Sequence, residues 1–173
     1  MSDTNNIKIG KNVIQIEARA VLAIADRINE QFETAVKTIL DCKGRLIVLG
    51  IGKSGLISQK IASTMASTGT PAHFVHPGDA FHGDLGMITK EDVVLMISNS
   101  GGTHELVQII PAIRKKGVPI IGMIGRKAST LYNGVDVVLD TSVEEEACTL
   151  DLAPTASTTA TLAMGDALAV ALL

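Results

Sequence analysis

Aromatic side chains are almost missing from this 173-residue sequence, which has no Trp, one Tyr and three Phe. A surface that stacks successive bases on rings is therefore excluded, and the interior has to be packed from Ala, Val, Ile and Leu. Basic clusters are equally scarce. The longest run is Arg114-Lys115-Lys116 and the formal charge is -3, so neither nucleic acid nor an anionic membrane finds a basic face to bind. The polar start Met1-Ser2-Asp3-Thr4-Asn5-Asn6 lacks the charged-then-apolar layout of a signal peptide. The most apolar stretch, Thr161 to Leu173, contains Asp166 and is too short to span a bilayer. A cytoplasmic protein with a small-molecule partner is expected. Two cysteines, Cys42 and Cys148, stand far apart and outside any metal-ligand spacing, which reads as two reduced thiols.

What is present is aliphatic pattern. Residues 1–173 are one domain's worth of chain, read as a tail and long helix over 1–41 and an α/β core over 42–173. Between 13 and 40 apolar residues such as Ile14, Val21, Ile24, Ile28, Phe32 and Ile39 recur at helical spacing, which predicts one long amphipathic helix. Part of its apolar stripe is a candidate subunit interface. Beyond it, β-rich runs at 45–49, 72–76, 92–98, 119–125 and 136–140 alternate with helical segments at 54–67, 103–116, 128–133 and 155–173. Runs such as Val93-Val94-Leu95-Met96-Ile97 are apolar on both faces, as in a parallel sheet covered on both sides. The expected architecture is a three-layer α/β, flavodoxin-like fold with a five-stranded parallel sheet flanked by helices. Its ligand belongs beyond the carboxyl ends of strands one and three.

The loop after strand one reads Gly50-Ile51-Gly52-Lys53-Ser54-Gly55 and fits G-x-G-x-x-G. A dinucleotide site adds an acid about 20 residues on, at the end of strand two, but that strand ends in Val75-His76-Pro77 and Asp79 lies beyond the proline. A nucleotide-triphosphate loop needs a glycine where Ile47 stands. A tight strand-to-helix turn and a backbone nest for a single phosphate both remain open, with Gly52 and Ser54 as donors and Lys53 as charge. Strand three ends in Ser98-Asn99-Ser100-Gly101-Gly102-Thr103, a second nest rich in donors. A third hydroxyl-rich segment, Pro154-Thr155-Ala156-Ser157-Thr158-Thr159, starts the last helix.

With "GIGKSG", "TGTPAHFVHPGDAFHGDLGMI", "ISNSGGTHEL" and "EEACTLDLAPTASTTATLAMGDALAVALL" in this order, the chain resembles the sugar isomerase (SIS) domain of bacterial arabinose 5-phosphate isomerases over residues 11 to 173. The resemblance implies interconversion of D-ribulose 5-phosphate and D-arabinose 5-phosphate, supplying the lipopolysaccharide sugar Kdo, with no metal or organic cofactor. It also implies a homotetramer with sites near subunit interfaces. Phosphate falls to the loop after strand three, with Ser98, Asn99, Ser100 and Thr103, together with Gly52 and Ser54, and with Ser157 and Thr158 of the last segment. Lys53, His82, Glu105 and Glu146 match the family's catalytic positions.

Isomerisation through an enediol needs a base, a proton donor near O1 and O2, and positive charge for the enediolate. Glu146 is the expected base, its proton affinity raised by Glu144 and Glu145. His82, with Asp84 to fix its tautomer, is expected to open the ring or shuttle protons. Lys53 neutralises charge, and Glu105 orients Lys53 or a sugar hydroxyl. His73 and His76 read as structural. Family members usually continue with a Ser-His-Pro-Gly-Gly segment and often with CBS modules, whereas this chain stops at Ala171-Leu172-Leu173, as expected of a domain cut from a longer protein. Two competing readings are a sugar-phosphate-sensing SIS domain, needing the nests but neither Glu146 nor His82, and an SIS isomerase for another phosphosugar. A nicotinamide oxidoreductase rests on the glycine pattern alone.

Overall fold

The computed structural model describes residues 3–81, 83–148, 150 and 152–173. Five parallel strands, β1 (Leu46–Leu49), β2 (Ala72–Val75), β3 (Val93–Ser98), β4 (Ile120–Ile124) and β5 (Val137–Asp140), lie in the order β2-β1-β3-β4-β5. Every residue of β1, β3 and β4 is buried, while the edge strands β2 and β5 are buried only in part. Central strands covered on both faces therefore read as unbroken apolar runs. Chain order reverses between β1 and β3, which makes their carboxyl ends the switch point of the sheet. Leu49 stands opposite Met96, and β3 continues to Ser98, opposite Ile124.

The two-residue period of the strands sends alternate side chains into separate cores. On one face Val48 and Leu95 pack with Ile39 of α2 (Glu30–Leu40), Ile61 of α3 (Gly52–Ser67) and Met164 of α7 (Ala156–Ala171). On the other, Ile47 and Met96 pack with Leu106 and Ile109 of α5 (His104–Lys115) and Leu131 of α6 (Thr130–Gly134). No described helix is long and apolar enough to cross a membrane.

The single helix expected over 13–40 is two. Helix α1 (Asp3–Ala25) ends in a turn, and Asn29, in extended conformation, caps α2 by accepting a hydrogen bond from the Gln31 amide at 2.9 Å. Between them Arg27 donates to the Ser142 carbonyl and sits 3.9 Å from Asp140. The break lets α1 run along α7 while α2 turns back to β5, where Gln31 accepts from the Val138 amide. The remaining elements fall within about two residues of expectation, but the segment after β2 holds structure that the sequence pattern missed. Pro77 opens a short α4 (Pro77–Phe81), suited to a residue without an amide proton, and the His76 Nδ1 accepts from the Gly78 amide at 3.1 Å. That bond supports the structural reading of His76. A 3-10 turn follows at Asp84–Met87.

Candidate active site

Three long helices start at the carboxyl edge of the sheet, and none caps itself with a side chain. Ile51 before α3 has none to offer, and Thr103 before α5 and Thr155 before α7 make no cap hydrogen bond. The Thr103 hydroxyl lies instead 2.8 Å from Ser98 Oγ, which also accepts from the Gly101 amide at 3.0 Å. Capping by Thr103 thus fails to explain the hydroxyl-rich loop. First-turn amides of α3 and α5 left without side-chain caps, aligned with the helix dipoles, favour an anion.

These starts face one cavity of about 310 Å³. Lys53 and Ser54 come from α3, Ser98, Asn99, Ser100 and Thr103 from the loop after β3, and Ser157 and Thr158 from α7. The structure therefore brings together most of the residues expected at a phosphate. Ser98 is buried and its hydroxyl shapes the loop, whereas Ser100 is exposed and accepts from the Gly102 amide at 3.2 Å. The Ser157 hydroxyl is buried and, among the described residues, meets no hydrogen-bond geometry. Ile51, Ile57, Pro154 and Thr161 complete the wall, with the Thr161 hydroxyl committed to the Ser157 carbonyl at 2.7 Å.

A second cavity of about 590 Å³ adjoins the first, sharing Asn99 and Ser100, and is lined by Gly125, Arg126, Glu144, Glu145 and Glu146 among others. Glu146 is half-buried, and its Oε2 accepts from the Thr155 amide at 2.7 Å, the Thr155 hydroxyl at 3.1 Å and the Ser157 amide at 3.2 Å. The carboxylate is the cap that α7 lacks. Burial pushes its proton affinity up, but the dipoles of Ser157 and Thr155 outweigh burial and hold it below the ordinary carboxylate value. The Ser157 hydroxyl contributes as a nearby dipole, since it meets no hydrogen-bond geometry. The expectation that Glu144 and Glu145 raise this affinity is thereby reversed: both are exposed, and Glu145 pairs with Arg19 at 3.2 Å.

Other expected residues stand apart. Glu105 occupies the first turn of α5, where the helix dipole favours an acid, but it lines neither cavity and forms no ion pair with Lys53. Gly52 is the first residue of α3 and His82 lies outside the described residues. Arg126 was not singled out, although the rule that ligands sit past strand ends applies equally to the Gly125-Arg126 loop after β4. A larger groove of about 690 Å³ runs along α1 from Asn5 to Gln15 and touches Ala147. Its α1 walls are exposed or half-buried and it lies apart from the helix starts at the carboxyl edge of the sheet, so its volume alone does not make it the site.

The SIS domain family model matches residues 39–171. The chain belongs to the SIS domain family. The arabinose 5-phosphate isomerase KdsD of Yersinia pestis is 54% identical over 95% of this chain and 50% of its own length, and that of Pseudomonas aeruginosa is 52% identical over 96% and 51%. The SIS domain described here thus spans about half the length of the curated relatives it matches. A solved Escherichia coli CFT073 protein in complex with arabinose 5-phosphate superimposes with a TM-score of 0.94 at 41% identity, covering 99% of this chain and 92% of that one.

Proposed function

We propose that this SIS domain interconverts D-ribulose 5-phosphate and D-arabinose 5-phosphate through an enediol. The observation that carries the reading is the pairing of an anion seat with a carboxylate beside it. Lys53, Ser98, Ser100 and Thr103 line the seat, while the Ser157 amide holds the Glu146 carboxylate at its edge. Phosphate binds between α3, α5 and α7 with Lys53 beside it. Glu146 removes the C1 proton of the ketose or the C2 proton of the aldose and the electron pair moves onto the carbonyl oxygen, which takes up a proton. The neighbouring hydroxyl then gives up its proton as its oxygen becomes the new carbonyl, and the carbon proton returns to the adjacent carbon to give the other sugar. His82 serves ring opening or proton shuttling by family resemblance. The KdsD relatives support the substrate pair, and the solved complex with arabinose 5-phosphate supports a chain of this span being enough to hold the sugar phosphate. A coupled assay supplied with ribulose 5-phosphate is expected to yield arabinose 5-phosphate. No product, or another sugar phosphate turned over in preference, sinks the reading.

Ser100 borders both cavities, so it is read as a phosphate donor at their junction. Ser100→Ala is expected to weaken sugar-phosphate binding by about 1 to 3 kcal/mol, the cost of a hydrogen bond to a charged group. Unchanged affinity in a titration removes Ser100 from the phosphate.

The protein is further inferred to be cytoplasmic and to supply Kdo synthesis, which cell fractionation and the lipopolysaccharide of a deletion strain test. A homotetramer fits the exposed Ile7, Ile14 and Leu22 of α1. Light scattering that finds one chain per particle would refute it.

A further inference from the structure

We propose that Arg126 is the cation that receives the enediolate, and that Lys53 serves the phosphate alone. This rests on the isomerase reading above and divides between two residues the charge neutralisation that the reaction's chemistry first assigned to Lys53. The two cations lie on different walls: Lys53 lines the smaller cavity with the helix starts, and Arg126 lines the larger one with Glu146.

The loop carrying Arg126 is held on both sides. The Gly125 amide donates to the Ser98 carbonyl at 3.2 Å, and a Cβ on Gly125 would stand 2.0 Å from Asn99 Oδ1, so the backbone is pressed against the phosphate loop with no room for a side chain. On the other side Lys127 is drawn to Asp140 at 3.1 Å. Arg126 itself forms no ion pair among the described residues, although Glu144, Glu145 and Glu146 line the same cavity. It is the one cation on that wall among the described residues.

Charge then orients the substrate. Three carboxylates repel a phosphate dianion from the larger cavity, while the helix starts and Lys53 attract it to the smaller one. The phosphate lies in the smaller cavity, and the carbonyl end extends past Asn99 and Ser100 towards Glu146. When Glu146 removes the proton, the C–H bond breaks and the electron pair leaves negative charge on oxygen beside Glu144 and Glu145, Glu146 now carrying the proton. A cation there matters most in the transition state. A planar guanidinium offers two parallel donors and suits the two cis oxygens of an enediolate as it suits a carboxylate.

Two probes separate the cations. A hydroxamate bearing a terminal phosphate mimics the cis oxygens of the enediolate, and inorganic phosphate reports the phosphate seat alone. Arg126→Met is expected to weaken hydroxamate binding by about 10²-fold, comparable with loss of one oxyanion donor, and to leave phosphate affinity within about twofold. Arg126→Lys, which keeps the charge but not the fork, falls between. Lys53→Met is expected to weaken both probes alike. Equal losses for both probes in Arg126→Met, or none for either, overturn the proposal. Turnover of ribulose 5-phosphate by the parent is measured alongside. Its absence overturns the isomerase reading, and the difference between the probes still decides Arg126.

Discussion

Glu146→Gln is expected to slow turnover by about 10²- to 10⁴-fold, the usual contribution of a positioned general base, while sugar-phosphate affinity stays nearly intact. The glutamine keeps an oxygen able to accept from the Thr155 and Ser157 amides, so the start of α7 stays capped and only the basic charge is lost. Glu146→Ala removes the acceptor too, and is expected to cost about 1 to 2 kcal/mol of stability besides activity, as when a helix loses its N-cap. Comparing the two separates chemistry from architecture. Exchange of the C1 proton of ribulose 5-phosphate, or of the C2 proton of arabinose 5-phosphate, with deuterated water reports enediol formation directly and is expected to fall with turnover. A Glu146→Gln enzyme that keeps parental turnover and exchange removes Glu146 as the base.

The pH dependence follows from the direction of the shift. A base held below the ordinary value near 4.5 stays ionised as pH falls through the usual carboxylate range, so the acid limb of kcat/KM that it contributes lies below that value. The stability that Glu146 adds has the same sign. A folded-state pKa below the unfolded one makes the contribution fully present above the unfolded value, and it is lost as pH falls through the folded value. An acid limb centred well above 4.5 and abolished in Glu146→Gln contradicts the observed capping geometry.

The sheet was legible because its central strands are covered on both faces, so each announces itself as an unbroken apolar run followed by a glycine- or serine-rich loop. The polar lining of the cavity past β1 and β3 was legible for a related reason: Lys53, Ser54, Ser98, Asn99, Ser100 and Thr103 follow directly on those runs. The break between α1 and α2 was not, since apolar spacing continues through Ile24, Ile28 and Phe32. What fixes the break is Arg27 reaching Ser142 and Asp140, more than 100 residues along the chain. The same distance problem hid the environment of Glu146. Its neighbours in sequence are acids, which argues for raised proton affinity, whereas its neighbours in space are the amides of Thr155 and Ser157, which lower it. Arg126 escaped because a lone arginine after a strand has no motif, and only the folded chain places it on a wall with three glutamates.

Gly101→Ala is expected to deform the loop proposed to hold phosphate and destabilise the protein together, because this residue is constrained on several sides. Its amide donates to Ser98 Oγ at 3.0 Å, its carbonyl accepts from the Leu131 amide at 2.9 Å, and its φ of 62° lies in the left-handed region. A Cβ there would stand 2.0 Å from Ser129 Oγ, the side chain whose acceptance from the Tyr132 amide caps α6. About 1 to 2 kcal/mol for the left-handed backbone and about 1 to 3 for overpacking give a loss of about 3 kcal/mol. For a chain of this length that lowers Tm by about 6 to 12 °C. Gly102→Ala is the control. It adds the same methyl one residue on, where nothing lies within 4 Å and φ is not left-handed, and it is expected to leave Tm within about 2 °C, as for a surface substitution. Sugar-phosphate affinity is expected to fall in Gly101→Ala alone, since relief of the clash with Ser129 moves the loop that carries Ser98, Ser100 and Thr103. Equal melting temperatures and affinities for the two variants contradict the account of this loop as a rigid seat set by Gly101.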